Sequence, residues 1–582
     1  MKPAENQRFT LLKRLKPHRW FLIALLAWNV ILGANIARTG QWSAWINGDA
    51  QSMLTLRYWV RDGYVTPHAF LFITQGYTPH LSIFDGTDLD DHALSSAYSV
   101  GDRLVKRVYY NHYPTFYLLP QAILSIVVGS EHRLLFQLTS LLLSTLSLVF
   151  LYAFLLKLFK SKLASALATM SFAISELYVD WAHSLANMPI DDFFRNGFLL
   201  LTVLEKTATM NRKRFTIAAW ITYFLLTLVS LESIVFGFIW LVGYDLLNEK
   251  KLKLKRWFIF GMAAILARVI QLGQSIIALG WNDTVLDWTG RWSTIANEDG
   301  ETNPFVRFLS ISRELRYLIG FGWDKHRIIE LHAMTFFVTS FLILGLGYLW
   351  WRSKKDKKAL IPLLLLAAGC AFGFIFPGAS WMRYEGRQFI PFFTATIVYV
   401  FASWPTLTTK KDKIIVTLLL ILPISFIVVR QTYLGINSVL TNPIYSFGKP
   451  EPSLVAFGES LAPHVDNQTT MVFLYDPEGK LTLFYPHPQD PRRSTYSMSP
   501  QLLYAADAHV MGFKDKEILF QDLEKILERT NVPITPYFVA ETKDIESLRT
   551  ELSSHGFTFD QTDTLTDSWV GMKPTPLFRP RM

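Results

Sequence analysis

Five stretches of this sequence carry residue types that could do chemistry. The first is Asp49, in WINGDAQSMLTLRYWVRDG. Met53, Leu54, Tyr58 and Trp59 follow it at helical spacing, which predicts an amphipathic helix that opens on a carboxylate. Such a carboxylate can cap the positive end of the helix, and it can also take a proton from a reacting hydroxyl. The second stretch is YYNHYPTFY, 109–117. There His112 is either the polar tip of an aromatic belt or a hydrogen-bonding group in an outer cavity. The third is HSLANMPIDDFFRN, 183–196, which gathers Asn187, Asp191, Asp192 and Arg195 within two helical turns. Ionisable groups at membrane depth mark functional sites, whereas an Asp192–Arg195 pair at i, i+3 would be a minor helix contact. The fourth is SWMRYEGRQFIP, 380–391, where Arg383 and Arg387 stand at i, i+4. Guanidinium forks suit phosphate oxygens; the competing reading is a loop neutralised by Glu385. The fifth is Arg268, with Gln271 and Gln274 on neighbouring turns. It is either a functional cation in the membrane or the partner of an acid such as Glu232. Together these groups suit transfer from a phosphate-linked donor: a carboxylate deprotonates an acceptor hydroxyl and cations stabilise the departing phosphate.

The elements that must position these residues are membrane helices. Hydrophobic residues make up 51% of the 582-residue chain and charged residues only 18%, with a mean hydropathy of +0.23. A soluble chain carries about 25% charged residues, and this balance excludes disorder, collagen and coiled coil. The single cysteine, Cys370, excludes an intrachain disulfide, a cysteine-based zinc site and an iron–sulfur cluster. The net charge of +10 does not imply nucleic acid, because the basic residues form short clusters between apolar runs.

Eleven runs can cross a bilayer: 20–38, 133–157, 163–182, 191–206, 215–231, 233–247, 256–278, 329–351, 359–377, 389–405 and 413–432. The first is not a cleaved signal, since it is long, lacks a small-residue cleavage site and is followed by ten more. Basic clusters around 2–19, 157–162, 206–214, 250–256, 352–358 and 410–413 all fall on one side of an eleven-span bundle. That side is cytoplasmic by the positive-inside rule. The apolar stretch 113–129 holds Pro114 and Pro120 and would invert the later loops if it crossed, so it is expected to be a re-entrant or interfacial helix. Three outer segments follow from this topology: 39–132, 279–328 and 433–582. The second is aromatic and amphipathic, as a lid over a cavity would be. In the third, MVFLYD, LTLFYP and PYFVAE read as strands, and 516–530 and 545–556 as helices, the latter closed by Gly556. The expected fold is an α-helical polytopic membrane protein with a small extracytoplasmic C-terminal α/β domain. Neither an internal repeat nor a glycine-rich phosphate loop is visible.

In order and topology, the sequence over about 1–405 resembles the GT-C-type glycosyltransferases. It is similar in particular to the protein O-mannosyltransferases and the lipid A aminoarabinose transferases. The matching pieces are Asp49 after the first span, Arg61-Asp62-Gly63, and the His-Pro-like Asn111-His112-Tyr113-Pro114. They continue with the turn Asn187-Met188-Pro189-Ile190 and with Arg383-Tyr384 leading to Pro391. The chain departs from the family pattern at Ala50, where Glu is frequent, at Asn187, where Asp is usual, and at Glu232, where relatives often carry lysine. The resemblance implies a transmembrane catalytic domain over 1–432 and a soluble domain over 433–582, in the inner or plasma membrane. It implies a polyprenyl-phosphate sugar as donor, a hydroxyl on a glycan, lipid or protein as acceptor, and Asp49 as the catalytic residue. His112, Asp191, Asp192, Arg268, Arg383 and Arg387 become the substrate-binding candidates. A divalent cation, where one is used, would find Asp49, His112 and Asp191. Competing readings are a lipid or polysaccharide transporter, which predicts repeats, and a non-catalytic glycan-binding membrane scaffold, which predicts tolerance of changes at Asp49.

Overall fold

A computed structural model describes residues 18–43, 46–62, 115–208, 211–249, 251–279, 343–375, 387–407, 409–441, 452–465, 470–486, 500–520 and 535–575. It also describes the strand segments 75–77, 95–100, 103–110 and 494–498, and positions 281, 284, 285, 340 and 523. The helices, in order, are α1 (Arg19–Thr39), α2 (Ile46–Asp62), α3 (Leu119–Val128), α4 (Arg133–Phe159), α5 (Lys162–Ala173), α6 (Glu176–Val179), α7 (Met188–Thr207), α8 (Arg212–Thr227), α9 (Leu231–Glu249) and α10 (Leu254–Leu279). There follow α11 (Leu360–Ile375), α12 (Ile390–Ser403), α13 (Lys410–Val416), α14 (Leu422–Thr441), α15 (Pro452–Leu461), α16 (Pro500–Ala506) and α17 (Ile545–Ser554). The chain divides into two compact units: 1–44, 134–270 and 292–445 form one, and 45–133, 271–291 and 446–582 the other.

The first unit is helical and multi-pass. Among the described residues, six helices are long and apolar enough to cross a membrane: Arg19–Thr39, Arg133–Phe159, Leu231–Glu249, Leu254–Gln274, Lys357–Ile375 and Lys410–Thr441. Two boundaries differ from the hydropathy reading. The run 163–182 is not one helix, because α5 stops at Ala173. Ser175 turns extended at φ −68°, ψ 153°, and its hydroxyl donates to Phe172 O at 2.6 Å, a local bond that competes with helix continuation. The last helix runs on past 432 to Thr441 through a π-helical turn at Thr417–Ile421. At 1.5 Å per residue it is about 48 Å long, well beyond a hydrocarbon core of about 30 Å. Its Gly435 lies against the broken turn: a Cβ there would stand 1.9 Å from Ile174 O, so only glycine fits.

Helix α7 carries ionic groups at both ends. Near its C-terminus Lys206 pairs with Asp245 at 2.6 Å and Glu249 at 2.7 Å. Arg256 reaches Asp245 at 3.2 Å and also pairs with Glu205. These bonds tie α7 to α9 and α10. The acids 191 and 192 near its other end lie about 20 Å away along the helix.

The second unit includes an antiparallel sheet ordered β1 (Gln75–Tyr77), β3 (Arg103–Tyr110), β2 (Ser95–Val100). Its helix α3 spans only ten residues, about 15 Å, too short to cross. Ile123, Ile126 and Val127 point outward while Gln121, Ala122 and Ser125 are buried. The helix thus has one apolar exposed face and one buried face. The C-terminal segment forms a five-stranded sheet ordered β7 (His509–Phe513), β4 (Thr470–Tyr475), β8 (Thr535–Glu541), β10 (Trp569–Pro574), β9 (Phe559–Thr564). Strand β4 is parallel to β7 and β8, and β10 is antiparallel to β8 and β9. Alternate residues of β4 serve two cores. Phe473 packs with Phe538 and Leu548, whereas Val472 and Leu474 pack with Leu502, Leu503 and Leu54 of α2. The expected strand LTLFYP pairs instead in a separate hairpin, β5 (Thr482–Pro486) with β6 (Ser494–Met498). Helix α17 ends near Gly556, whose φ of 87° is the left-handed value glycine tolerates.

Candidate functional site

One candidate site stands at the N-terminal end of α7. Pro189 pre-sets the first turn, and Asp191 complements the helix dipole there. Arg195, one turn on, donates to Asp191 Oδ2 at 2.9 Å and also pairs with Asp192. The second oxygen of Asp192 takes Arg387, which arrives just ahead of α12. Arg387 further donates to Leu177 O at 3.1 Å. Asp192 is thus shared by two guanidinium groups, and all three side chains are buried. The start of α9 completes the group. Ser233 donates to Asp191 Oδ1 at 2.6 Å, and Ser230 donates to Glu232 Oε2 at 2.6 Å. Arg195 lies 5.7 Å from the Phe236 ring centre, within cation–π range. Asp191, Asp192, Arg195, Ser230, Glu232 and Arg387, with Asn187, Met188 and Gln388, line a small cleft.

The electrostatics of this cleft are close to balance. Asp191, Asp192 and Glu232 face Arg195 and Arg387, three carboxylates to two guanidinium groups. Buried charges persist only when paired in this way. Among the described residues, Arg195 Nε and Arg387 Nε have no hydrogen-bond acceptor. Each arginine therefore keeps one N–H not committed to the carboxylates.

A second candidate site lies on α2, in the other unit. Asp49 sits inside the first turn of the helix, three residues after Ile46, and is completely buried. Ala50, Met53, Leu54 and Trp59 are buried along the same helix. The Arg133 guanidinium feels both Asp49 and Tyr504. Eight residues beyond Asp49, Arg57 forks onto Glu131 at 2.8 and 3.0 Å. Arg57 also meets Asp507 at 3.0 Å and Tyr504 O at 3.0 Å, and lies 4.5 Å from the Tyr504 ring centre. Burial would raise the Glu131 carboxyl, but the Arg57 fork outweighs it and holds Glu131 below the usual glutamate value.

The structure brings Asp191, Asp192 and Arg387 together in one cleft. Arg268 is half-buried on α10. His112 with the element 111–114, Arg383-Tyr384, and the loop 279–328 apart from positions 279, 281, 284 and 285 lie outside the described residues. Among the described residues no group of three His, Cys, Asp or Glu side chains could hold a metal ion. Sequence reasoning missed Ser233, Arg57, Glu131, Arg133 and Asp507. The available signal was Arg57 and Arg133 themselves, arginines within or beside apolar segments. It also missed Glu176 and Asp180, carboxylates buried in the turn after α5.

No family model and no curated protein sequence matches this chain. Solved structures do. The chain superposes on ArnT from Cupriavidus metallidurans, crystallised bound to undecaprenyl phosphate, with a TM-score of 0.54 and 12% identity, covering 96% of this chain and 98% of that one. The same protein in the apo state matches with a TM-score of 0.46 and 12% identity over the same shares of both chains. The Archaeoglobus fulgidus oligosaccharyltransferase matches with a TM-score of 0.44 and 11% identity, covering 91% of this chain and 71% of that one. At such identities the likeness is one of fold, and the ligand-bound ArnT carries it. The chain shares the fold of the ligand-bound ArnT structure over nearly its full length.

Proposed function

We propose that this protein transfers a sugar from a polyprenyl-phosphate donor to an acceptor hydroxyl at the outer face of the membrane. The observation that carries the proposal is Asp49: a completely buried carboxylate in the first turn of α2, within electrostatic reach of Arg133. Buried ionisable groups held beside a specific charge are functional-site candidates. In this reading the acceptor oxygen forms a bond to the anomeric carbon while the bond from that carbon to the phosphate oxygen breaks. Asp49 takes the hydroxyl proton, and the electron pair leaves on polyprenyl phosphate. One displacement inverts the anomeric centre and forms no sugar–enzyme bond. The neighbour's undecaprenyl phosphate supports the donor class.

The buried group at α7 has a separate role in this proposal. Arg387 and Arg195 each keep an uncommitted Nε–H, and charge-assisted bonds of that kind suit phosphate oxygens. Asp191 and Asp192 orient the two forks. Arg268 and Arg383 are further candidates for the phosphate, and His112 for the sugar or a bound cation. The chain enters the membrane with its N-terminus inside and its C-terminal domain outside, because the basic clusters fall between spans on one side.

The test uses the purified chain in nanodiscs with a panel of undecaprenyl-phosphate monosaccharides and a membrane extract as acceptor source. Release of undecaprenyl phosphate together with transfer of label to an acceptor is the expected result. Binding without release across the panel, with label unchanged, would favour the transporter or scaffold readings.

A further inference from the structure

Resting on the assignment of Asp49, we propose that the C-terminal domain sets the position of the catalytic helix. It does so through a clamp in which Asp507 and Tyr504 hold Arg57. Asp507 follows α16, closes onto Leu503 O through its N–H at 3.0 Å, and has φ of 46°. That left-handed position after a helix is one glycine occupies without strain, and other residues at some cost. Here an aspartate stands instead, and its carboxylate meets Arg57 at 3.0 Å. A residue kept in an unfavourable conformation, with its side chain committed to a distant partner, points to a role for that contact.

The partner is well placed to transmit position. Arg57 lies on α2, two turns beyond Asp49, and the same guanidinium grips Glu131 through both oxygens. Glu131 immediately precedes α4 by two residues, and Arg133, the first residue of α4, feels Asp49. Tyr504 gives Arg57 both its carbonyl and its ring face. Beneath the charges, Leu54 packs into the core formed by Leu502, Leu503 and Phe457. One turn of α2 is therefore fixed by apolar burial and by three acceptors, and two of those acceptors belong to the C-terminal segment. Asp507 and Arg57 are positioning residues and touch no reacting atom in this account.

Asp507→Gly is the discriminating variant, because it relaxes the backbone while deleting the carboxylate. In nanodiscs it should keep the fold of the sheet, with unchanged amide exchange in β4 and β8. Exchange across 46–57 should rise about tenfold. Turnover, read as undecaprenyl phosphate released at saturating donor, should fall about tenfold, and affinity for undecaprenyl phosphate alone should stay within about twofold. Arg57→Gln should match it, and the double variant should be no worse than either single one, as coupled residues require. Wild-type exchange and wild-type turnover in Asp507→Gly, or additive losses in the double variant, would overturn the clamp. Asp49→Asn in the same assay tests the assignment beneath it. Normal turnover in that variant removes the base, while exchange across 46–57 still reports on the clamp.

Discussion

Ser233 donates a 2.6 Å hydrogen bond to Oδ1 of Asp191, which leaves Oδ2 to Arg195 at 2.9 Å. Both oxygens of this buried carboxylate are thereby satisfied by groups from two helices. Ser233→Ala removes a neutral donor to a charged acceptor, a bond typically worth about 1.5–3 kcal/mol. The variant should be less stable in detergent by about that margin and unfold at a lower temperature. An unchanged unfolding temperature would mean that water replaces the hydroxyl.

Arg387→Ala strips one of the two guanidinium groups from Asp192. Breaking a buried pair by removing one partner costs about 3–5 kcal/mol, since the other charge stays buried. Undecaprenyl phosphate should also bind about tenfold more weakly, the value of one charge-assisted contact. Arg387→Lys keeps the charge but not the fork and should recover only part of either loss. Titration and thermal unfolding of the same preparations separate the two effects. Full affinity in a folded Arg387→Ala protein moves the phosphate elsewhere.

Asp49→Asn keeps the shape of the side chain and cannot accept a proton. Turnover should drop about 10²- to 10⁴-fold, the usual range for a general base. Expression, insertion and undecaprenyl-phosphate binding should be retained. A trapped glycosyl-enzyme in any variant would contradict a single inverting displacement.

The Glu131–Arg57 fork gives a pH signature. Because the fork holds the Glu131 carboxyl below its usual value of 4.5, its stabilising effect is complete above that value. The effect is lost as pH falls through the lower, folded-state value. The stability difference between wild type and Glu131→Gln should be constant at neutral pH and shrink towards zero in acid. A difference that grows on acidification would exclude this pairing.

Orientation is tested by labelling single cysteines introduced after residue 250 and after residue 450 in a Cys370→Ser background. A membrane-impermeant reagent added outside intact cells should reach only the second. Equal labelling of both would reject the topology.

Much of the fold was readable from local chemistry. Runs such as 133–157 and 359–377 are apolar over a bilayer's thickness, and length with hydropathy suffices to make them membrane helices whatever surrounds them. Pro120 marks the start of α3 and Gly129, at a left-handed φ of 79°, its end. Strand β4 was legible because MVFLY, 471–475, is a continuous run of hydrophobic and aromatic residues, as a strand buried on both faces must be. Asp49 could be singled out from its place on an amphipathic pattern, but not its burial, which depends on what packs over α2. The break at Ser175 was missed since hydropathy does not register a hydroxyl bonding back to Phe172 O. The cleft itself was beyond sequence reasoning. Asp192 and Arg387 are 195 residues apart, and read locally Asp192 was a minor i, i+3 partner of Arg195. Tertiary packing alone decides that two arginines from different parts of the chain close on one carboxylate. Burial then turns a contact worth tenths of a kilocalorie on an exposed helix into one that the site cannot lose.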